Sequence, residues 1–319
     1  MNTIDYIYRF DPKNPSAKPL PPDAEAARTM LEAGNRMFAD WMESCQKSSF
    51  GQGTEPRYVV QCNGLEVGMW RTQGQMPRQA PFAVLVGCSD ARVPTEMIFG
   101  QGFNNLFVIR VAGNVLGDEC LGSIDFAVNA LSESVKVVVV LGHSGCGAVT
   151  GAVDAYLRPL VYWSKSNSHY LRSIYRRIFV AVRESANAMN DVWGPDARMI
   201  PGYREALIEV AVAVNAAQSA YDLRNEVERA GKWEIEVLYS IYNTRTHRVS
   251  MPFDVTGQPD PSIGLAYAPT NPRDFTRLAV QIAKTLQKGE LSEFSAAATR
   301  NSHSAPAALP PEPLPDEHH

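Results

Sequence analysis

Two short apolar runs constrain this chain more than anything else in it. Val84-Leu85-Val86-Gly87 stops at Cys88, and Val137-Val138-Val139-Val140-Leu141-Gly142 stops at His143, with Cys146 three residues on. Neither run alternates with polar residues, the pattern of strands buried on both faces of a parallel sheet. The groups that follow therefore stand at carboxyl ends of strands, the edge where open parallel sheets take up ligands. Cys88, His143 and Cys146 make a Cys2His set. These are donors that zinc prefers, and three protein donors leave a fourth position for water. Either cysteine alone reads as an ordinary small buried residue; both together, each ending an apolar strand and one close behind a His, read as a metal site.

Asp90 and Arg92 are two positions apart, so an extended segment points them the same way and a tight loop lets them pair bidentately. Beside a metal, such a pair keeps the carboxylate ionised and holds it away from the cation. Asp90 is then available to accept a hydrogen bond or a proton from metal-bound water. The alternative is a surface ion pair of little energetic consequence.

Four motifs then carry a family resemblance: Cys88-Ser89-Asp90-Ala91-Arg92-Val93, Phe107-Val108-Ile109-Arg110-Val111-Ala112-Gly113-Asn114, Gly122-Ser123-Ile124-Asp125-Phe126-Ala127-Val128 and Gly142-His143-Ser144-Gly145-Cys146-Gly147-Ala148-Val149. In this order they resemble the beta-class carbonic anhydrases, with weaker similarity at residues 31–38 and 239–242. The resemblance implies an α/β fold with a central, mostly parallel sheet flanked by helices. It implies zinc on Cys88, His143 and Cys146, and Asp90 with Arg92 as the catalytic dyad. In a closed state of some members, Asp90 becomes the fourth zinc ligand. Gln79 resembles the glutamine that hydrogen-bonds the substrate, often across a dimer interface.

The activity so implied is reversible hydration of carbon dioxide to bicarbonate and a proton, by a homodimer or larger homo-oligomer. Zinc would lower the pKa of bound water to about 7, and Val93, Phe107 or residues of a partner subunit would help to wall an apolar pocket. Three other readings use the same residues. One is a hydrolase of carbon disulfide or carbonyl sulfide, linear molecules of the same shape. Another is a non-catalytic zinc-stabilised scaffold of a larger assembly such as a carboxysome, which has no need of Asp90 and Arg92. The third is a thiol enzyme with Cys146 as nucleophile and His143 as base, which explains neither Cys88 nor the dyad.

Composition narrows the classes further. The 319 residues are 45% hydrophobic, enough for one large core or two modest ones. A net charge of -4 without a dense basic run argues against nucleic acid as a partner. Cys45, Cys62, Cys88, Cys120 and Cys146 are spread too widely for a disulfide framework and suit a reducing cytosol. With no leader-like start and no apolar run long enough to span a bilayer, a cytoplasmic protein is expected.

Along the chain, residues 1–22 carry Pro12, Pro15, Pro19, Pro21 and Pro22 and read as an extended arm rather than a folded element. A helix capped by Asp23 follows through Ala27, Leu31, Met37 and Trp41; the resemblance places such a helix against a partner subunit, and packing on its own domain is the alternative. Residues 48–79 read as loop with one strand near Tyr58-Val59-Val60. Residues 23–290 are expected to form a single catalytic zinc domain, lengthened at 154–201 by an inserted helical segment in which Ile174, Ile178 and Val182 share one face. The insertion reads as local packing or oligomer contact, with a docking site for an assembly partner as the minority reading. His169 in it is weighed as a proton shuttle against an incidental surface residue. A long helix over 202–230, an edge strand over 233–242, a surface His247 and a last helix over 274–288 follow. The Pro-, Ala- and Ser-rich residues 291–319, ending in His318-His319, read as a disordered tail open to docking by the same partner.

Overall fold

The computed structural model describes residues 4–11, 13, 19–49, 57–62, 76–163, 168–251 and 264–288; the expected tail at 291–319 lies outside the described residues. In chain order come β1 (Asp5–Phe10), α1 (Ala24–Ser49), β2 (Arg57–Cys62), β3 (Ala83–Gly87), the short α2 (Thr95–Ile98), β4 (Leu106–Arg110) and α3 (Asp118–Ala130). Then follow β5 (Val137–His143), α4 (Gly147–Leu157), α5 (Pro159–Trp163), α6 (His169–Trp193), α7 (Tyr203–Arg229), β6 (Glu236–Tyr242), β7 (Val249–Ser250), β8 (Ala266–Tyr267) and α8 (Arg273–Gln287).

The architecture is α/β, as expected. Strands β4, β3, β5 and β6 lie side by side and parallel, with Gly87 opposite Leu141 and His143 opposite Tyr242. Every residue of β3 and β5 is buried. Val84, Val86, Val138 and Val140 face a large core filled by α4, α6, α7 and α8. Leu85, Val139, Leu141 and Leu238 face a smaller one closed by α1. Each such side chain contributes roughly 1.5–3 kcal/mol by leaving water, which is why these runs of branched residues form the sheet's centre. No helix among the described residues is long and apolar enough to cross a membrane.

Three expectations need correction. Residues Asp5–Phe10 of the supposed arm form a strand that pairs in parallel with β2, apart from the main sheet. Its prolines lie beyond this strand, and Tyr6 anchors it, with its ring 5.2 Å from Tyr58 and 5.9 Å from Trp41. Strand β6 is not an edge, because β7 and β8 both pair with it in antiparallel fashion. Helix α1, capped where Asp23 accepts the Ala26 N–H at 2.8 Å, lies on its own chain's sheet through Ala27, Leu31 and Phe38, the packing weighed beside contact with a partner subunit. His247 is half-buried, not a surface residue: it adopts a left-handed φ of 61° and its Nδ1 lies 2.8 Å from the Tyr242 hydroxyl.

Asn35 of α1 ties these parts together. Its amide donates to the carbonyls of Ile98 and His247, and its oxygen accepts the Val249 N–H at 2.8 Å. Asn35→Ala leaves those buried backbone groups without partners and is expected to lower unfolding free energy by at least about 1–3 kcal/mol in a denaturant titration. His247 adds a pH term. Burial lowers its pKa below the ordinary 6.5, so the unfolded chain takes up the proton first as pH falls. The stability it contributes is present above pH 6.5 and lost below it. Melting temperature followed from about pH 8 down to about pH 5 should fall less in His247→Gln than in the parent.

Candidate metal centre

Each donor is placed by a different backbone feature. Cys88 is the first residue beyond β3, His143 is the last of β5, and Cys146 is the residue that opens α4. Because β3 and β5 are bonded neighbours in register, their ends deliver Cys88 and His143 to one place. The turn at Ser144-Gly145 then brings Cys146 back to join them. The three donor atoms lie within 4.8 Å of one another, with the two sulphurs 4.0 Å apart. Tetrahedral zinc with bonds of 2.3 Å separates two sulphurs by about 3.8 Å, so the pair is already spaced to share one ion.

The imidazole supports the same fit. His143 Nδ1 lies 3.1 Å from the Ser144 carbonyl, which places the ring proton there and turns the Nε2 lone pair toward the sulphurs. That Nε2 is buried and has no hydrogen-bond partner among the described residues. A polar atom so placed is costly unless something binds it, and a soft divalent cation satisfies it and both thiols at once.

The thiols are coupled. A hydrogen bond from Cys146 pulls Cys88 down to about 4 against the opposing effect of burial, helped by His143 and by the Gly113 and Asp90 N–H groups. Cys146 moves up, because its proton is held by the Cys88 sulphur and by burial, with the Ala148 and Val149 N–H groups working the other way. The two sulphurs are close enough to share a proton, and metal binding would displace it.

Beside this cluster, Arg92 grips Asp90 as a fork, with Nε to Oδ1 at 3.0 Å and Nη2 to Oδ2 at 2.7 Å, and the Arg92 N–H adds a third bond at 2.9 Å. These bonds hold the Asp90 carboxyl at about 2. Its Oδ2 is 3.9 Å from His143 Nε2, so the carboxylate borders the cluster, and Arg92, with two bonds to Oδ1 and one to Oδ2, leaves Oδ2 a lone pair to accept with. The geometry is that of an open donor set, Cys88, His143 and Cys146, with Asp90 beside it.

The sequence reading missed several supports. Arg110 donates from Nε to the Cys88 carbonyl at 3.0 Å and from Nη2 to the Asp90 carbonyl; its signal was a charge ending an apolar strand at the ligand edge. Asn215 of α7 donates to the Gly113 carbonyl at 2.9 Å, and the Gly113 N–H points to Cys88 Sγ at 3.3 Å.

Other residues lie elsewhere. Gln79 is exposed ahead of β3, at the end opposite the one that carries Cys88, so the chain does not bring it to its own cluster. Val93 is buried in the smaller core and Phe107 packs against the larger one, so the two do not share a wall. His169 is exposed at the start of α6, its ring 5.7 Å from that of Tyr170. A cavity of about 780 Å³ lined by Arg224, Trp233, Tyr239, Tyr267, Asp274 and Arg277 contains none of the cluster residues.

The family model described as carbonic anhydrase matches residues 83–249, more than half of the chain, and the chain belongs to that family. The resemblance carried by the motifs is borne out. Over 77 residues the chain is 51% identical to carbonic anhydrase 2 of Mycobacterium tuberculosis, covering 24% of this chain and 36% of that protein. Over 88 residues it is 44% identical to a carbonic anhydrase of Mycolicibacterium smegmatis, covering 28% of this chain and 42% of that one. The matched stretches thus span less than half the length of either relative. Among solved structures, the beta-carbonic anhydrase CcaA is 24% identical with a TM-score of 0.41, covering 54% of this chain and 80% of that one.

Cys88→Ser, His143→Ala and Cys146→Ser should each lower zinc affinity beyond the loss of about 10–100-fold typical of outer partners. Competition with a chromogenic chelator measures this directly.

Proposed function

We propose that this chain catalyses the reversible hydration of carbon dioxide to bicarbonate and a proton, within a zinc domain spanning residues 23–290. The observation that carries the reading is the Asp90–Arg92 fork set beside an open donor set of Cys88, His143 and Cys146. A purely structural zinc site closes with four protein ligands and needs no such pair.

Cys88, His143 and Cys146 would hold the zinc, whose Lewis acidity brings a bound water's pKa to about 7. The chain's own groups supply orientation and charge. Asp90 Oδ2 faces the open side of the cluster and accepts a hydrogen bond there. Held at about 2 by Arg92, Asp90 is ionised at every working pH and acts as a fixed acceptor, not a store for the proton. The proton produced in each turnover leaves through a group that titrates near neutrality. Arg92, anchored also on the Gly145 carbonyl at 3.2 Å, sets the direction of the acceptor. Burial of all three donors keeps the surroundings poor in water, where such fixed charges act most strongly.

Gln79 we assign to the neighbouring active site in a homo-oligomer. Its place at the far end of β3 in its own chain supports this, as does β4, which ends the described sheet with Phe103 and Phe126 exposed nearby. The five cysteines form no disulfide, in keeping with a reducing cytoplasm.

Stopped-flow hydration of carbon dioxide on protein of measured zinc content, from about pH 6.5 to about pH 9, should show fast turnover that depends on the metal. Asp90→Asn should keep its zinc and lose about 10²–10⁴ in rate. Stoichiometric zinc with no turnover across that range defeats the proposal.

A further inference from the structure

Between Ala155 and Arg183 the chain carries Arg158, Lys165, Arg172, Arg176, Arg177 and Arg183 and no acidic residue, although its net charge is -4. In the fold this basic stretch supplies the end of α4, then α5 and the first half of α6, and it leaves large apolar side chains in water. Leu160, Trp163 and Tyr170 are 86%, 66% and 81% exposed. Leu160 and Trp163 are three positions apart, so they are neighbours on one side of α5. Side chains join α5 to α6: Arg172 lies over the Trp163 ring at 5.6 Å, and Arg176 donates to the Tyr162 hydroxyl at 2.6 Å. Tyr170 stands in the same turn of α6 as Arg172. Exposed apolar side chains gathered in this way mark an interaction surface, and this one is edged by arginine.

A matching segment exists in the chain itself. Leu309-Pro310-Pro311-Glu312-Pro313-Leu314-Pro315-Asp316-Glu317 lies outside the described residues and combines prolines and leucines with three acids and no cation. Pro310 and Pro313 have the spacing of segments that dock on aromatic surfaces, where the stiff extended proline helix loses little entropy on binding. Glu312, Asp316 and Glu317 complement the arginines around Trp163.

Reach allows the docking within one chain. Helix α8 lies along α6 in the same direction, since Thr276 bonds Glu184, Trp193 bonds the Ala283 carbonyl and Gln287 bonds the Val192 carbonyl. It therefore ends beside Val192, and from there back to Arg172 along α6 is about 30 Å at the helical rise. A flexible linker as long as residues 289–308 spans about 25 Å as a root mean square and up to about 65 Å when stretched. Tethering of this kind supplies an effective concentration on the order of millimolar.

We propose that residues 309–317 dock on their own chain, against Leu160, Trp163 and the arginine-rich first turns of α6. The prolines and leucines cover the exposed aromatic surface, and the acids pair with the arginines at its edge.

The test uses the intact chain with the photo-crosslinking residue benzoylphenylalanine at position 314. Irradiation and peptide mapping should join that position to α5 and the first turns of α6. On a denaturing gel the linked product should keep the mass of one chain; a product of twice that mass places the segment on another copy and overturns the same-chain docking. Trp163→Ser and Arg172→Glu, both at the surface, should each lower the cross-linking yield about fivefold or more, as loss of an aromatic or arginine anchor does. Glu312→Lys combined with Asp316→Lys should lower it as far, and yields that none of these changes moves overturn the proposal. Cross-links confined to other surfaces, or no cross-link at all, do so as well.

Discussion

The hydrogen-bonded register between β3 and β5 is the constraint on which the site depends, because it sets Gly87 against Leu141 and so brings the residues that follow them together. A slip of one residue would turn every side chain of a strand to the opposite face and part Cys88 from His143. Burial on both sides prevents it: Val86 and Val140 belong to one core while Leu85 and Leu141 belong to the other. The donor set that results is poorly satisfied on its own. Two sulphurs 4.0 Å apart lie beside an imidazole nitrogen without a hydrogen-bond partner among the described residues, and a bound cation would stabilise the fold by satisfying all three.

The segments that surround this register act mainly on the loops at its end. Ile178 of α6 reaches within 2.9 Å of where a side chain at Gly113 would begin, and Arg177 donates to the Leu116 carbonyl at 2.6 Å. The inserted segment therefore presses on the loop whose amide faces Cys88, and its larger share is core rather than appendage. From the other side, the turn after β6 is tied to the metal loop by Thr244 N–H to Ser144 Oγ at 3.0 Å and by Ser144 N–H to the Tyr242 carbonyl. Helix α7 closes the arrangement from behind through Asn215. A ligand set on two loops is held rigid by contacts that come from far along the chain.

What was legible in the sequence was whatever is decided locally. Two-sided apolar runs named β3 and β5, and the spacing of His143 and Cys146 named the donors. Asp90 and Arg92 were legible because two residues apart in a tight turn leaves little choice of partner. The pairing of Asp5–Phe10 with β2 was not legible, since a strand's propensity says nothing of which distant strand accepts it. His247 looked like a loop residue because its burial is imposed by Asn35 and Tyr242, the former on another element altogether. Gln79 illustrates another limit: its role is assigned to a neighbouring copy, and one chain's pattern does not reveal a contact between two.

X-ray absorption at the zinc edge of the purified protein tests the central claim most directly, because it counts the donors without reference to turnover. The account predicts two sulphurs at about 2.3 Å, one imidazole nitrogen at about 2.0–2.1 Å and one light-atom ligand completing four. A shell of four sulphurs, or one of nitrogen and oxygen alone, would contradict the assignment of Cys88, His143 and Cys146.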